Sequence, residues 1–306
     1  MSSMTSSMFD ITIGTLIPAR SAKTMIPQLN EKGFECYALD FNGTDPADMD
    51  FDRIAEELLP VLDGRHISAM GYYANPILHE NDRRNLRALI TNAKKLGCPV
   101  IGAFAGGNPE KSVPETIGEY KETWEPLAAL AEECGVKVGF EGCGGGWHRG
   151  CTNIAFCEEA WELMFDALPS PALGLEWEPC HIMEGLGDPI PQLRTWAGRV
   201  VHLHGKDCTV AWDLVHRYGT KGPKPLTFNR TPGFGDSNWA DIFTILIHAG
   251  FVGACDIEGY HDLVHYDDME WTAQVTALEY LKRCRGGMEY YAGPTEYRGY
   301  QGTRKG

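Results

Sequence analysis

The feature that most constrains this chain is a repeat of form. Short apolar runs that suit strands alternate, eight times, with longer runs whose apolar residues recur at helical spacing. Strands are expected over 11–17, 34–41, 66–73, 99–104, 136–140, from 173 to the break at Pro179, 200–204 and 251–257. Helices are expected over 21–32, 52–62, 81–96, 113–134, 154–168, 191–197, 239–249 and 271–284. A strand followed by a helix and another strand must cross back and lie parallel to the first. Eight such units of roughly 30 to 40 residues indicate an α/β fold in which the sheet closes into a (β/α)8 TIM barrel. A doubly wound open sheet is the alternative. No linker rich in Pro, Ser or Gly divides the 306 residues, so 1–306 is expected to be a single domain. The barrel would occupy about 11–284, with an inserted loop (207–237) after the seventh strand and a tail over 285–306. The tail carries Tyr290, Tyr291, Tyr297 and Tyr300. It would either wrap a neighbouring subunit of a homo-oligomer, where tyrosine is favoured, or fray.

Charge narrows the partners. With 27 basic and 42 acidic side chains, the net charge is 27 − 42 = −15. Such a surface repels a phosphate backbone and argues against nucleic acid. No apolar run is long enough for a membrane span. The first residues, Met1 to Met8, lack the basic and apolar regions of a signal peptide. The ten cysteines show no zinc-finger spacing and are expected as reduced thiols in the cytoplasm.

Active sites of such barrels gather at the C-terminal strand ends, and four late strands end in groups that can bind metal. The fifth ends Gly139-Phe140-Glu141-Gly142-Cys143, the sixth Glu178-Pro179-Cys180-His181. The seventh ends His202-Leu203-His204-Gly205-Lys206-Asp207, and the eighth Asp256-Ile257-Glu258-Gly259-Tyr260-His261. Alternation puts Gly174, Glu176 and Glu178 on one strand face, with Leu175 and Trp177 on the other. Taken singly, Glu176, His202 and Asp256 each read as a buried charge in an ion pair or a core histidine. Three carboxylates and one histidine at equivalent ends of consecutive strands are harder to attribute to packing, because converging like charges repel at low dielectric. One divalent ion removes the difficulty; oxygen-rich ligation with a single imidazole suits Mn2+ first, then Mg2+ or Co2+, and Zn2+ less well. Cys143, Cys180 and Cys208 would make a softer site, although small buried thiols are commoner.

The ordered series Glu141, Glu178-Pro179-Cys180-His181, His204-Gly205-Lys206-Asp207 and Gly250-Phe251 leading to Asp256-Ile257-Glu258 resembles the xylose-isomerase-like barrel superfamily. That superfamily contains sugar isomerases, ketose 3-epimerases, inosose dehydratase, endonuclease four and the barrel subunit of C-glycoside deglycosidases. The segment Arg230 to Trp239 resembles its stretch before the last barrel helix. The likeness covers residues 11 to 284. It implies that Glu141, Glu178, His204 and Glu258 bind the metal, that Glu141 and Glu258 also move the proton, and that His181 and Arg230 contact substrate oxygens. Glu178 departs from the family's usual aspartate, and Gly142 stands where asparagine is common. The additional ligand motifs of endonuclease four are missing, which again argues against DNA.

The activity implied is isomerisation or epimerisation of a sugar by abstraction of a proton alpha to its carbonyl, through an enediolate stabilised by metal. The alternative with the same metal site is β-elimination from a 3-oxo-glycoside by a lyase or deglycosidase, with a small accessory subunit as partner. A third reading is a non-catalytic carbohydrate-binding barrel. Trp147 and His148 in the glycine-rich loop 142–150, and the insertion 207–237, would shape a site for a substrate larger than a free sugar. Lys206 and Arg230 are the strong candidates for holding an anion. The run Gly142-Cys143-Gly144-Gly145-Gly146 lacks the following helix of a dinucleotide fingerprint.

Overall fold

The computed structural model describes residues 8–259 and 261–288. Eight parallel strands close into a barrel. They are β1 (Ile11–Pro18), β2 (Cys36–Asp40), β3 (His66–Tyr72), β4 (Val100–Ala103), β5 (Lys137–Glu141), β6 (Leu173–Trp177), β7 (Val200–Gly205) and, after an inserted hairpin, β10 (Gly253–Ile257), which pairs with β1. Outside them run α1 (Ala22–Asn30), α2 (Phe51–Leu58), α3 (Glu80–Asn92), α4 (Val113–Cys134), α5 (Glu158–Ala167), the short α6 (Pro179–Glu184), and α7 (Pro189–Trp196). After the insertion follow α9 (Trp239–His248) and α10 (Glu270–Arg285). The insertion is itself ordered as an antiparallel hairpin, β8 (Asp207–Val210) and β9 (Thr227–Arg230), with α8 (Trp212–Tyr218) at its turn. The expected tail tyrosines lie outside the described residues. Among the described residues no helix is long and apolar enough to cross a membrane.

Period-two alternation sorts the strand side chains. Tyr37, Leu39, Ile67, Phe140, Leu175 and Leu203 face outward into one apolar layer with Ile26, Leu89, Trp124, Trp161 and Leu246 of the helices. Ala38, Ala69 and Val100 point inward and form a small plug with Leu16 and Val201. Above that plug the barrel interior is polar. Two register shifts serve it. Tyr37 pairs with Ile67 but Ala38 with Ala69, so Ser68 is an extra residue on β3. Leu175 pairs with Val200 but Glu176 with His202, so Val201 is extra on β7 and His202 comes opposite Glu176. Such insertions re-aim side chains.

The first and last elements are tied together by charge. The Arg285 guanidinium lies 2.7 Å from Glu35 Oε2 and also donates to the Ile11 carbonyl. Glu35 Oε2 accepts from the Ile13 amide at 2.8 Å, and Lys282 Nζ donates to the Gly33 carbonyl at 2.6 Å. This fastens α10 to β1 and to the loop before β2 at the seam where the barrel closes.

Candidate metal centre

Glu141 is the last residue of β5, and Glu178 follows β6 in extended conformation (φ −150°, ψ 151°) as the cap of α6. Proline at the first helical position sets the helix going, so the chain turns at Pro179 into a helix rather than a loop. His181, one turn on, therefore faces both Glu178 and Glu184, three residues either side: its Nε2 lies 2.8 Å from Glu178 Oε1 and its Nδ1 2.6 Å from Glu184 Oε2. His204 projects inward from β7, and Glu258 follows β10. Glu141, Glu178, His204 and Glu258 are all buried, and one ligand atom from each lies within 4.8 Å of the others. His204 Nδ1 stands 3.3 Å from Glu178 Oε2, 3.3 Å from Glu258 Oε2 and 3.8 Å from Glu141 Oε1.

These atoms converge without satisfying one another. Both Glu178 oxygens, His204 Nδ1 and Glu258 Oε2 are buried within ion-pair distance of neighbours yet lack hydrogen-bond geometry to any of them. Buried polar atoms left in that condition are costly and rare. A divalent cation would satisfy them together, since the ligand atoms of an octahedral ion stand roughly 3 to 4 Å apart. The donor set, three carboxylates and one imidazole, suits a hard or borderline ion. Rival sets fit less well. Cys180 donates to Asn229 Oδ1 at 3.2 Å and packs with Cys208, Met183 and Val210 in a small apolar cluster. Both nitrogens of His202 are already taken, by Glu176 and Asp256 at 2.7 Å each.

Burial and charge pull the titrations apart. Burial opposes ionisation of Glu141, but the nearby imidazoles of His181 and His204 overcome it and bring its carboxyl down to about 2. Burial dominates at Glu258 and raises it, despite the attraction of Lys206 and His204. Burial would neutralise Lys206, yet Glu178 and Glu258 hold its ammonium protonated far above the ordinary range.

The remaining expected residues are placed as follows. Lys206 is buried, with Nζ 3.0 Å from Glu258 Oε1. Arg230 ends β9 with Nε 3.4 Å from the Asp262 carboxylate, above the barrel mouth. Trp147 packs against the main apolar layer and His148 is exposed. Neither lines the cavity of about 680 Å³ at the mouth, whose walls include Cys143, His181, Asn229, His261, Asp262 and Tyr266. Glu176, His202 and Asp256, each expected as a buried charge or core histidine, meet in one buried group. Tyr73, which sequence reasoning passed over, places its hydroxyl 3.1 Å from His204 Nε2. Gly71 makes room for it, since a Cβ there would come within 2.7 Å of the Tyr73 ring. The Gly-x-Tyr spacing, two residues on one strand face, was the available signal. Asn153 was also missed. Its side-chain amide donates to the carbonyls of Glu141 (2.9 Å) and Cys143 (2.8 Å), fixing the end of β5.

Fold and site together define a (β/α)8 barrel with a carboxylate–imidazole centre at its C-terminal mouth. A model of the xylose isomerase-like TIM barrel family matches residues 26–284, and the chain belongs to that family. Among solved structures, the 3-keto-D-glucoside 4-epimerase YcjR of E. coli superposes with TM-score 0.68 at 14% identity, covering 90% of this chain and 100% of that one. A xylose isomerase-like TIM barrel protein of Mycobacterium smegmatis in complex with magnesium gives TM-score 0.68 at 16% identity, covering 91% and 98%. A D-psicose 3-epimerase in the presence of D-fructose gives 0.66 at 14%, covering 90% and 100%. At these identities the likeness is one of fold. No curated protein matches the chain in sequence.

Proposed function

We propose that the protein is an enzyme, a divalent-metal-dependent sugar isomerase or epimerase, and that the observation carrying this reading is the convergence of Glu141, Glu178, His204 and Glu258 with their buried, unsatisfied ligand atoms. Neighbours of the same fold named for epimerisation of keto-sugars support a small carbohydrate as substrate. Held by these four residues, the ion (Mn2+ for preference, Mg2+ or Co2+ next) would stabilise the negative charge that develops on the sugar oxygens as the carbon between them loses its proton. Glu141 and Glu258 would move that proton, one at each face of the carbon. Lys206, 3.0 Å away, orients Glu258. His181 and Arg230 orient substrate hydroxyls from the mouth.

The test is solvent deuterium exchange into ketoses, followed by NMR. Glu258→Gln should lower exchange by about 100-fold or more while the thermal melt stays near that of the wild type; undiminished exchange would remove Glu258 from the reaction. Metal-stripped protein should be inactive and recover with Mn2+. A binding barrel without chemistry would show no metal requirement.

One feature favours the eliminating alternative. A groove of about 750 Å³ runs beside the mouth cavity and shares His181 and Glu184 with it. Its walls, Gly144, Phe156, Glu159, Glu162 and Ile182 among them, leave room for a group attached to the sugar. Release of an aglycone from a 3-oxo-glycoside, with no exchange into free ketoses, would establish the lyase over the epimerase.

A further inference from the structure

The rim of the mouth cavity carries side chains that the chemistry below it does not use. Leu263, Val264, Tyr266 and Met269 lie close together in the chain after β10 and are 64%, 59%, 59% and 46% exposed. Single exposed apolar residues are ordinary, but a cluster of them beside a cavity marks a binding surface. Leu263 and Tyr266 are themselves walls of the mouth cavity. Its other walls include Cys143, His181 and His261, each two or three residues beyond a proposed metal ligand, so the cavity lies between the centre and this rim. The turn that displays the rim is pinned. Asp262 accepts from the amides of Thr231, Val264 and His265, and the His265 ring packs on Phe234 with centroids 4.4 Å apart. Little ordering is left for a ligand to impose.

Charge decides what the rim can receive. Among the described residues, the mouth cavity and the groove beside it are bordered by the carboxylates of Glu158, Glu159, Glu162, Glu184 and Asp262 and by no lysine or arginine. The imidazole they share, His181, already faces Glu178 at 2.8 Å and Glu184 at 2.6 Å. Lys206 and Arg230 are turned to Glu258 and Asp262. A phosphate or carboxylate on a substrate would therefore meet like charge. A second copy of the chain is disfavoured on the same ground. Paired about a two-fold axis, it would bring the same patch, with the same carboxylates, against this one. An uncharged small molecule meets neither objection.

We propose that Leu263 and Tyr266 form a subsite for an apolar aglycone, and that the substrate is an uncharged glycoside. Its sugar lies over the four-residue centre while its attached aromatic group rests on these two side chains. An aromatic group is favoured because Tyr266 offers it an offset or edge contact beyond the area that Leu263 covers. Four of the five carboxylates border the groove of about 750 Å³, so of the two recesses the rim is the better seat for an apolar group. That substrate class rests on the carbohydrate reading of the centre.

The experiment is calorimetry with 4-nitrophenyl β-D-glucoside and methyl β-D-glucoside, which share a sugar and differ only in the aglycone. The nitrophenyl glucoside should bind at least about 10-fold more tightly, the return for covering one aromatic ring. Leu263→Asn combined with Tyr266→Ala should abolish that preference, and Tyr266→Phe, which keeps the ring, should retain it. Both positions are exposed, so the fold is not at stake. Without added metal, a 6-phosphate on the nitrophenyl glucoside should weaken its binding. Equal Kd for the two glucosides, no binding of either, or tighter binding of the phosphate would overturn the proposal. So would a dimer lost in the double variant with the preference unchanged, which would give the rim to a second copy. Deuterium exchange into ketoses separates this subsite from the reading beneath it. Exchange without a nitrophenyl preference removes the subsite alone. A preference that the double variant abolishes, in a protein that exchanges nothing, keeps the subsite and removes the chemistry.

Discussion

Lys206 Nζ lies 3.0 Å from Glu258 Oε1, and both side chains are withdrawn from solvent at the ends of adjacent barrel strands. The cation is committed inside the cluster rather than held out to a ligand, and it partly offsets the crowding of Glu141, Glu178 and Glu258. Lys206→Met should leave Glu258 unanchored and the carboxylates in stronger mutual repulsion. A loss of about 10- to 100-fold in Mn2+ affinity is expected, measured by calorimetry. Arginine should not restore it, because its larger planar fork does not fit a site made for a compact ammonium.

The seam at Glu35 and Arg285 supports a stability prediction. Arg285 is buried, but Glu35 is partly exposed and keeps Lys282 at 3.3 Å, so Arg285→Ala should cost about 1.5–3 kcal/mol in urea unfolding, the worth of a hydrogen bond to a charged group. Burial opposes ionisation of Glu35, but Arg285 with the Ile13 amide lowers its carboxyl below the ordinary range. A group depressed in the folded state stabilises above its unfolded value and loses that contribution as pH falls towards the folded one. The wild type should therefore lose more stability than Arg285→Ala on acidification below about pH 4.5.

Asp262 gives a local pH marker at the mouth. Its carboxylate accepts from the amides of Thr231 (2.8 Å), Val264 (2.8 Å) and His265 (3.0 Å), fastening the end of the insertion to the loop after β10. Burial opposes the shift, and these amides overcome it to bring the group to about 2. The fastening should be complete above about pH 4, weaken as pH falls, and be half lost near pH 2. Amide shifts of the three residues should titrate together there, and Asp262→Asn should abolish the transition.

Gly102 tests whether the interior is as tightly made as it looks. Its substitution by alanine would drive a methyl against both oxygens of Glu176, at 2.6 and 2.7 Å. Overpacking of that kind costs about 1–3 kcal/mol, measurable by thermal melts. Gly118→Ala, on the exposed part of α4 with nothing within 4 Å of its Cβ, is the control and should be neutral or mildly stabilising.

The barrel was legible because hydrophobic period separates strands from helices, and α4 appears over the expected span. The convergence of Glu141, Glu178, His204 and Glu258 was legible because all four stand where strands end. What escaped depended on pairing between distant segments. Nothing local to Ser68 or Val201 marks it as an extra residue, since a bulge exists only relative to the neighbouring strand. Tyr73 looks the same in sequence whether its ring faces the helices or the site. Pro179 was read as the stop of β6, whereas it also starts α6 and so turns His181 back onto Glu178. Lys206 read as a cation for substrate because sequence does not reveal that Glu258 lies against it.

Asp207 has a use beyond its own hydrogen bonds. It accepts from the Ser237 amide at 3.0 Å and from the Trp239 indole at 3.0 Å, so the two feet of the β8–β9 insertion meet at one carboxylate. Everything between those feet is a roof resting on a closed clasp. Its span and lining can be rewritten, by evolution or by design, to admit new guests while the staves and the cluster below keep their places.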